Sequence, residues 1–431
     1  MLTPLPVSFP DASRFICERI YRFHLCTRTI LRMCESHFEN TISRLPLAGV
    51  RVVDLSTPLG SYVGRLYSDL GAEVVRVEPA EGLADRRRGA PTVGDVGAEW
   101  VFHNVGKKSV VIDDVDAGLD SPTVVDLLRS AQILLTSEGP ESLRGRGLEP
   151  DTVAEVLPHL VHINISPYGL DGPWTDRPAD DLTILAAGGL LALAGDPDRA
   201  PVRPAECQSA VAASLHGAIG GLIALLAQEG DHVGQTVDVS AQEAVAHSLE
   251  NAIQYYDLEG SVRTRAGSAP KEAGTGLFAC ADGWLYVVGG LGGYPLGWAG
   301  IIDWFDECGV EGADALRADR WQDRLWRRTP EAITEFRTYF EQLTVSRTKE
   351  ELYEAGQRHG VSVAPVSMPQ DLLDNPQLVA RNYFRSATID GIDVTIPGPP
   401  YRFDGANIGP GPAVAGIAEH TEAVFTALAA D

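Results

Sequence analysis

The sequence predicts an α/β fold, with a large domain built on a doubly wound parallel sheet and a smaller α+β domain. Short apolar runs alternate with stretches of helical spacing from Leu47 to Ser166. A long Ala- and Gly-rich apolar segment follows, and from about residue 262 the texture changes to loops, a hairpin and Trp-bearing helices. These observations divide the chain into a large domain over 47–240, a small domain over 262–365, and a return to the large domain over 366–431.

Taken in order, VRVVDLS (50–56) reads as a strand, PLGSYVGRLYSDLG as a helix and AEVVRVE (72–78) as a second strand, which makes a βαβ unit. KSVVID gives a further strand. Ser121 and Pro122 then open the helix TVVDLLRSA as N-cap and first-turn proline, and QILLTS and LVHINIS supply two more strands. Strands buried between helices on both faces read as apolar runs, and these do. The segment from Ala210 to Gln228 is expected to be a buried helix ending near Gly230. TVDVS is the next strand, and Ala241–Tyr256 is helical again. In LFACADGWLYVVGG a hairpin turns through Ala281, Asp282 and Gly283, and EHTEAVFTALAA closes the chain as a short helix.

With 35 Lys plus Arg against 59 Asp plus Glu, the net charge is -24, so the long-range field repels nucleic acid and anionic membranes. The same field repels small anions, so an anionic substrate would need cations gathered locally. Six cysteines (Cys17, Cys26, Cys34, Cys207, Cys280, Cys308) follow neither a metal-ligand spacing nor a disulfide framework, which suits a reducing cytoplasm. No apolar run is expected to span a bilayer, and no signal-peptide core is apparent. Residues 1–46, with Arg14, Arg19, Arg22, Arg28 and Arg32 offset by Asp11, Glu18, Glu35 and Glu39, are expected to be a disordered leader or a mis-assigned start, with Met33 the later candidate.

Glu78 ends the second strand, where a dinucleotide-binding domain often places the acid that holds the ribose hydroxyls. The first turn, DLSTPLGSYVG, nevertheless lacks the glycines of GxGxxG, and GGLGGYPLG lies far from it, so these glycines are expected to be structural.

Several segments, in order, carry a broader resemblance: LAGVRVVDLS, LGAEVVRVEP, NVGKKSVVID, SPYGLDGPWTDRPADDL, PVRPAECQSAVAASLHGAIGGLIALLAQ, GQTVDVSAQEAV, LFACADGW and GVSVAPV. Together they resemble family III CoA-transferases, the CaiB/BaiF-like group that includes formyl-CoA transferase, carnitine CoA-transferase and α-methylacyl-CoA racemase. The likeness runs from residue 47 to about 425. It implies two domains per subunit, two subunits threaded as linked rings, a coenzyme A thioester as substrate and no permanently bound cofactor.

By that resemblance the cations for the CoA phosphates are Arg76, Arg86, Arg87, Arg88, Lys107, Lys108, Arg144 and Arg146, because an adenosine 3′-phosphate and a diphosphate call for charge-assisted donors. The chain departs from the family where relatives carry a stretch like ENFRPG: it has TSEGPE, with Glu138 beside Ser137. A second departure concerns the nucleophile. In the family's transferases an Asp attacks the acyl-CoA thioester to give a mixed anhydride, and CoA then returns to form an aspartyl-CoA thioester. The stretch PVRxGxxxADxxAG that holds this Asp aligns without gaps on PVRPAECQSAVAAS, and the Asp falls on Ala210; the His used by the racemizing relatives falls on Asp180.

Three readings remain open. This chain is the non-nucleophilic subunit of a heteromeric transferase, paired with an Asp-bearing paralogue and moving CoA from a donor such as succinyl-CoA to an organic acid. Alternatively, Glu206, or the pair Asp180 and Asp181, supplies the carboxylate of a stand-alone transferase or isomerase, with Asp181 the better candidate for a helix cap. Lastly, the chain binds CoA esters without turnover, or acts as a lyase or dehydratase through His216 or Cys207. Each of those two has a bland alternative, a satisfied core histidine and a buried thiol.

Overall fold

A computed structural model describes residues 45–265 and 267–430, so the expected leader lies outside the described residues except for its last two positions. Six strands form one parallel sheet: β1 (Arg51–Asp54), β2 (Glu73–Glu78), β3 (Lys108–Val111), β4 (Ile133–Thr136), β5 (Val161–Ser166) and β6 (Thr236–Ser240). Their spatial order is β3-β2-β1-β4-β5-β6, and every neighbouring pair is parallel. This order runs outward from β1 in both directions, as in a doubly wound fold.

Alternation along the strands divides the core into two faces. Val52, Ile133, Leu135, Ile163 and Ile165 point into one cluster, which includes residues of helix α1 (Ser61–Asp69). Val53, Val75, Val77 and Leu134 point into the other, which Leu127 and Leu128 of helix α2 (Pro122–Arg129) cover. Ser121 caps α2 as its position before Pro122 predicts, its hydroxyl accepting from Val124 N at 3.2 Å. The chain returns to this sheet at its C-terminal end, where Ile408 joins the first cluster and Val424 of helix Thr421–Ala430 the second.

A separate cluster draws only on residues 273–363, with Phe278, Trp298, Trp304, Trp321, Phe336 and Phe340 at its centre. It packs on an antiparallel sheet of β7 (Thr275–Cys280), β8 (Gly283–Val288) and β9 (Ser362–Pro365). Cys280 pairs with Gly283, so the expected hairpin turns through Ala281 and Asp282 alone, with Gly283 already in β8. The helix expected over Ala241–Tyr256 is instead two, Ala241–His247 and Ala252–Glu259, and Glu250 between them has φ 53°.

Between β5 and β6 come helix α3 (Asp181–Ala187) and helix α4 (Gln208–Asp231), and α4 corrects two expectations. By length and composition alone it is long and apolar enough to cross a bilayer, contrary to the expected absence of such a run, although it serves here in a crossover of the parallel sheet. It is also not buried all round. Its inward face is made of small residues: a Cβ at Gly217 would stand 2.9 Å from Ile165 Cδ1, one at Gly220 2.8 Å from Val237 Cγ1, and one at Gly221 would collide with Ile163 and the Tyr67 hydroxyl. Four of its large residues point outward, with Leu215 45%, Ile219 57%, Ile223 64% and Leu226 68% exposed, while Leu222 and Leu225 pack partly buried against the first cluster. Glycine lets the backbone approach the sheet closely, and that leaves the aliphatic bulk of α4 on its far side.

Candidate active site at the switch point

β1 and β4 lie side by side, but the chain leaves them toward opposite edges of the sheet, which opens a crevice beyond their carboxyl ends. Two adjoining clefts occupy it. The larger, about 540 Å³, is lined by Ser56, Thr57, Pro58, Arg76, Asp85, Glu138 and Arg146 among others. The smaller, about 320 Å³, shares Thr57 and Pro58 and adds Arg88, Ser137, Asp180, Asp181, Cys207 and Ala210.

The loop after β1 that separates the clefts is held from below and from the side. Asp54, fully buried, accepts through Oδ1 from Ser56 N at 3.0 Å, Ser56 Oγ at 2.6 Å and Arg76 Nη1 at 2.7 Å, and through Oδ2 from Lys107 Nζ at 2.8 Å. Burial alone would raise this carboxyl, but Arg76 and Lys107 outweigh it and hold the group down to about 2. Ser137, after β4, ties in the loop through Thr57: its hydroxyl accepts from Thr57 N and lies 2.7 Å from Thr57 Oγ1. Asp54, Ser56 and Thr57 escaped notice in the sequence. A polar turn immediately after a buried strand, DLSTP, was the signal that could have found them.

The expected phosphate cations are not gathered in one place. Arg76 and Arg146 line the larger cleft, Arg88 lines the smaller, and Arg144 lines neither. Most are already paired. Lys107 is buried and spends its donors on Asp54, Ser61 O at 2.6 Å and Asn104 Oδ1 at 3.0 Å. Burial pushes its ammonium down to about 8 despite the pull of Asp54. Arg86 donates to both carboxylate oxygens of Glu78, so Glu78 is an internal anchor and does not stand free for a ribose. Lys108 pairs with Glu73, Arg144 with Glu149 at 3.0 Å, Arg88 with Glu99 at 3.1 Å and Arg146 with Glu138. Arg87 is exposed. Glu138, in the TSEGPE stretch that departs from the family's, therefore neutralises Arg146 at the larger cleft.

Ala210 lies in the first turn of α4, 4% exposed, with its methyl group among the residues that wall the smaller cleft. The carboxylates beside it are committed. Asp180, not Asp181, caps α3: its Oδ1 accepts from Thr183 N at 2.8 Å and from Thr183 Oγ1 at 2.9 Å, and these bonds lower its pKa. Asp181 holds the start of α4, accepting from Ser209 N at 2.9 Å and Ser209 Oγ at 2.8 Å, with Arg203 Nε at 3.2 Å on its other oxygen. Glu206 is exposed, has φ 61° and lies outside the lining of the cleft.

Cys207 does line it, but burial and the nearby Glu99 push its thiol pKa up, which disfavours the thiolate. His216 faces His247 edge-on, with ring centroids 5.1 Å apart, away from both clefts.

Sheet order and clefts define a doubly wound α/β protein that offers a ligand the crevice at its topological switch point. Against known families, residues 47–415 match CoA-transferase family III, and the chain belongs to that family. Among characterised relatives it is 37% identical over 383 residues to the BbsE subunit of succinyl-CoA:(R)-benzylsuccinate CoA-transferase from Thauera aromatica, covering 87% of this chain and 92% of that one. It is 29% identical over 365 residues to the alpha subunit of succinyl-CoA--L-malate CoA-transferase from Chloroflexus aurantiacus, covering 82% of each. The fold matches that of a CAIB/BAIF family protein from Brucella suis with a TM-score of 0.77, at 24% identity and covering 89% of this chain and 99% of that one.

Proposed function

We propose that this chain is the non-nucleophilic subunit of a heteromeric, cytoplasmic CoA-transferase that moves CoA from a donor such as succinyl-CoA to an organic acid. The observation that carries this reading is the wall of the smaller cleft: a methyl group stands where the family's nucleophilic Asp aligns, and both acids beside it serve as internal anchors. An alanine side chain offers no lone pair for attack on a thioester, so the covalent route must begin on another chain. The names of the two relatives, each a subunit of a transferase, support the same assignment.

In this reading the CoA nucleotide lies in the larger cleft and its thioester reaches past Thr57 and Pro58 toward Ala210. Phosphate binding there would loosen the Arg146–Glu138 pair, because Arg76 is buried and paired with Asp54. The outward aliphatic stripe of α4 supports an assembly in which a second subunit covers it, consistent with a linked-ring dimer of two-domain chains divided as 47–240, 262–365 and 366–431.

Purified alone, the chain is expected to transfer no CoA from succinyl-CoA to a panel of carboxylates, while co-expression with an Asp-bearing paralogue restores transfer. Robust turnover by the lone chain would refute the subunit assignment. If turnover is seen, loss of hydroxylamine-trapped label in Glu206→Gln or Asp180→Asn would identify the substitute acid.

A further inference from the structure

A third cleft, of about 340 Å³, lies away from the switch point and shares no lining residue with the two clefts there. It is built from the start of strand β10 (Phe384–Ile389), the loop before it and the segment that follows its hairpin partner β11 (Ile392–Pro397). This segment is moored to the far end of α1: Gly409 N donates to Asp69 O at 2.9 Å, and Arg65 Nη2 donates to Pro397 O at 3.1 Å.

Three arginines, Arg381, Arg385 and Arg402, converge on this cleft together with the rings of Tyr383, Tyr401 and Phe403. Among the described residues no carboxylate lies within ion-pair distance of any of the three, in a chain where acids outnumber bases by 59 to 35. That contrasts with the switch point, where Arg76, Arg86, Lys107 and Arg146 each have an acid. Arg385 is half-buried, and Arg381 and Arg402 are exposed.

We propose that this cleft is a second anion site, taking a small organic anion that carries a flat ring and at least two negative charges. Guanidinium groups bind phosphate or carboxylate through paired N–H donors, and aromatic side chains stack on a ring. The volume suits a small molecule. Phosphorylated nucleosides and aromatic polycarboxylates share this chemistry, and the site would respond to the level of one of them from outside the cleft where CoA transfer is proposed.

The test is calorimetric titration of the full-length protein, saturated with CoA, with ATP in one arm and phthalate in the other. At low ionic strength at least one is expected to bind with a dissociation constant below about 1 mM. The double variant R381Q/R402Q changes only exposed side chains and is expected to weaken binding about tenfold or more, with R381K/R402K weakened less because the charge is kept. Binding of ATP alone identifies phosphate as the recognised group, and binding of phthalate alone identifies carboxylate. The proposal is overturned if neither probe binds or if R381Q/R402Q binds as the parent does.

Discussion

Asp54 shows how far a single side chain can organise the crevice. It joins β1, β2 and the Lys107 loop, and through Ser56 it sets the turn that both clefts share. Asp54→Asn would leave Lys107 buried without an acid and Arg76 with only the longer pair to Asp85 at 3.6 Å, an expected cost of about 3–5 kcal/mol, measurable as a lower urea midpoint. Acid acts on other residues first. Burial pushes His162 on β5 down to about 4 from an ordinary 6.5, and burial together with Lys107 pushes His103 down to about 3. Both imidazoles are neutral in the fold and protonate more readily in the unfolded chain. Their contribution is therefore whole above pH 6.5 and is lost as the pH falls toward 4. For His162 the loss is about 3 kcal/mol at the bottom of that window. Urea midpoints between pH 7 and 5 should fall accordingly, and His162→Gln should flatten the slope while leaving the share due to His103. None of these buried roles was legible in the sequence, because a Lys or Arg that faces a phosphate and one that faces an internal acid look alike until the fold brings the acid near. Ala210 was singled out from an ungapped motif, which needs no tertiary information, and it lies in the wall of the smaller cleft.

At the level of elements, the strands up to Ser166 and two of the helices between them could be read because each is short, apolar and bounded by turn residues, whereas the helices Ala98–Asn104, Pro140–Gly145 and Pro150–Val156 could not. Their order across the sheet could not, since pairing of β1 with β4 joins residues about eighty positions apart. Helix α4 was legible as a helix but not in its orientation, because apolar residues surround it and hydrophobicity alone cannot say which side faces the sheet. Size decides: the glycines face inward. Gly221→Val should therefore be strongly destabilising, by about 1–3 kcal/mol or more, since the added bulk meets Ile163 and Tyr67. Ile223→Lys on the opposite side should leave the stability of a lone chain within about 0.5 kcal/mol, yet lower the assembled fraction seen by light scattering during size-exclusion chromatography. If Ile223→Lys assembles like the parent, α4 is not the surface through which subunits meet.

Across the whole molecule, acidity and clustering of charge tell different stories. The net charge of -24 argues against polyanion partners, while the local balance around each arginine decides where a small anion can be held. At the switch point nearly every cation is answered by an acid, so if CoA is held there as proposed, its affinity should depend only weakly on added salt. At the cleft of Arg381, Arg385 and Arg402 it should fall steeply between 50 and 300 mM salt, a contrast that parallel titrations would reveal. The aromatic-rich cluster over 273–363 begins shortly after the change in texture near residue 262. The outward stripe of α4 also bears on how such a protein must be made. A copy with that stripe bare presents a sticky flank of Leu and Ile to its neighbours, so surplus molecules would be removed by precipitation and proteolysis. The standing amount of this chain in a cell would then track the supply of whatever shields the flank, and matched dosage of the two would be a condition of its survival.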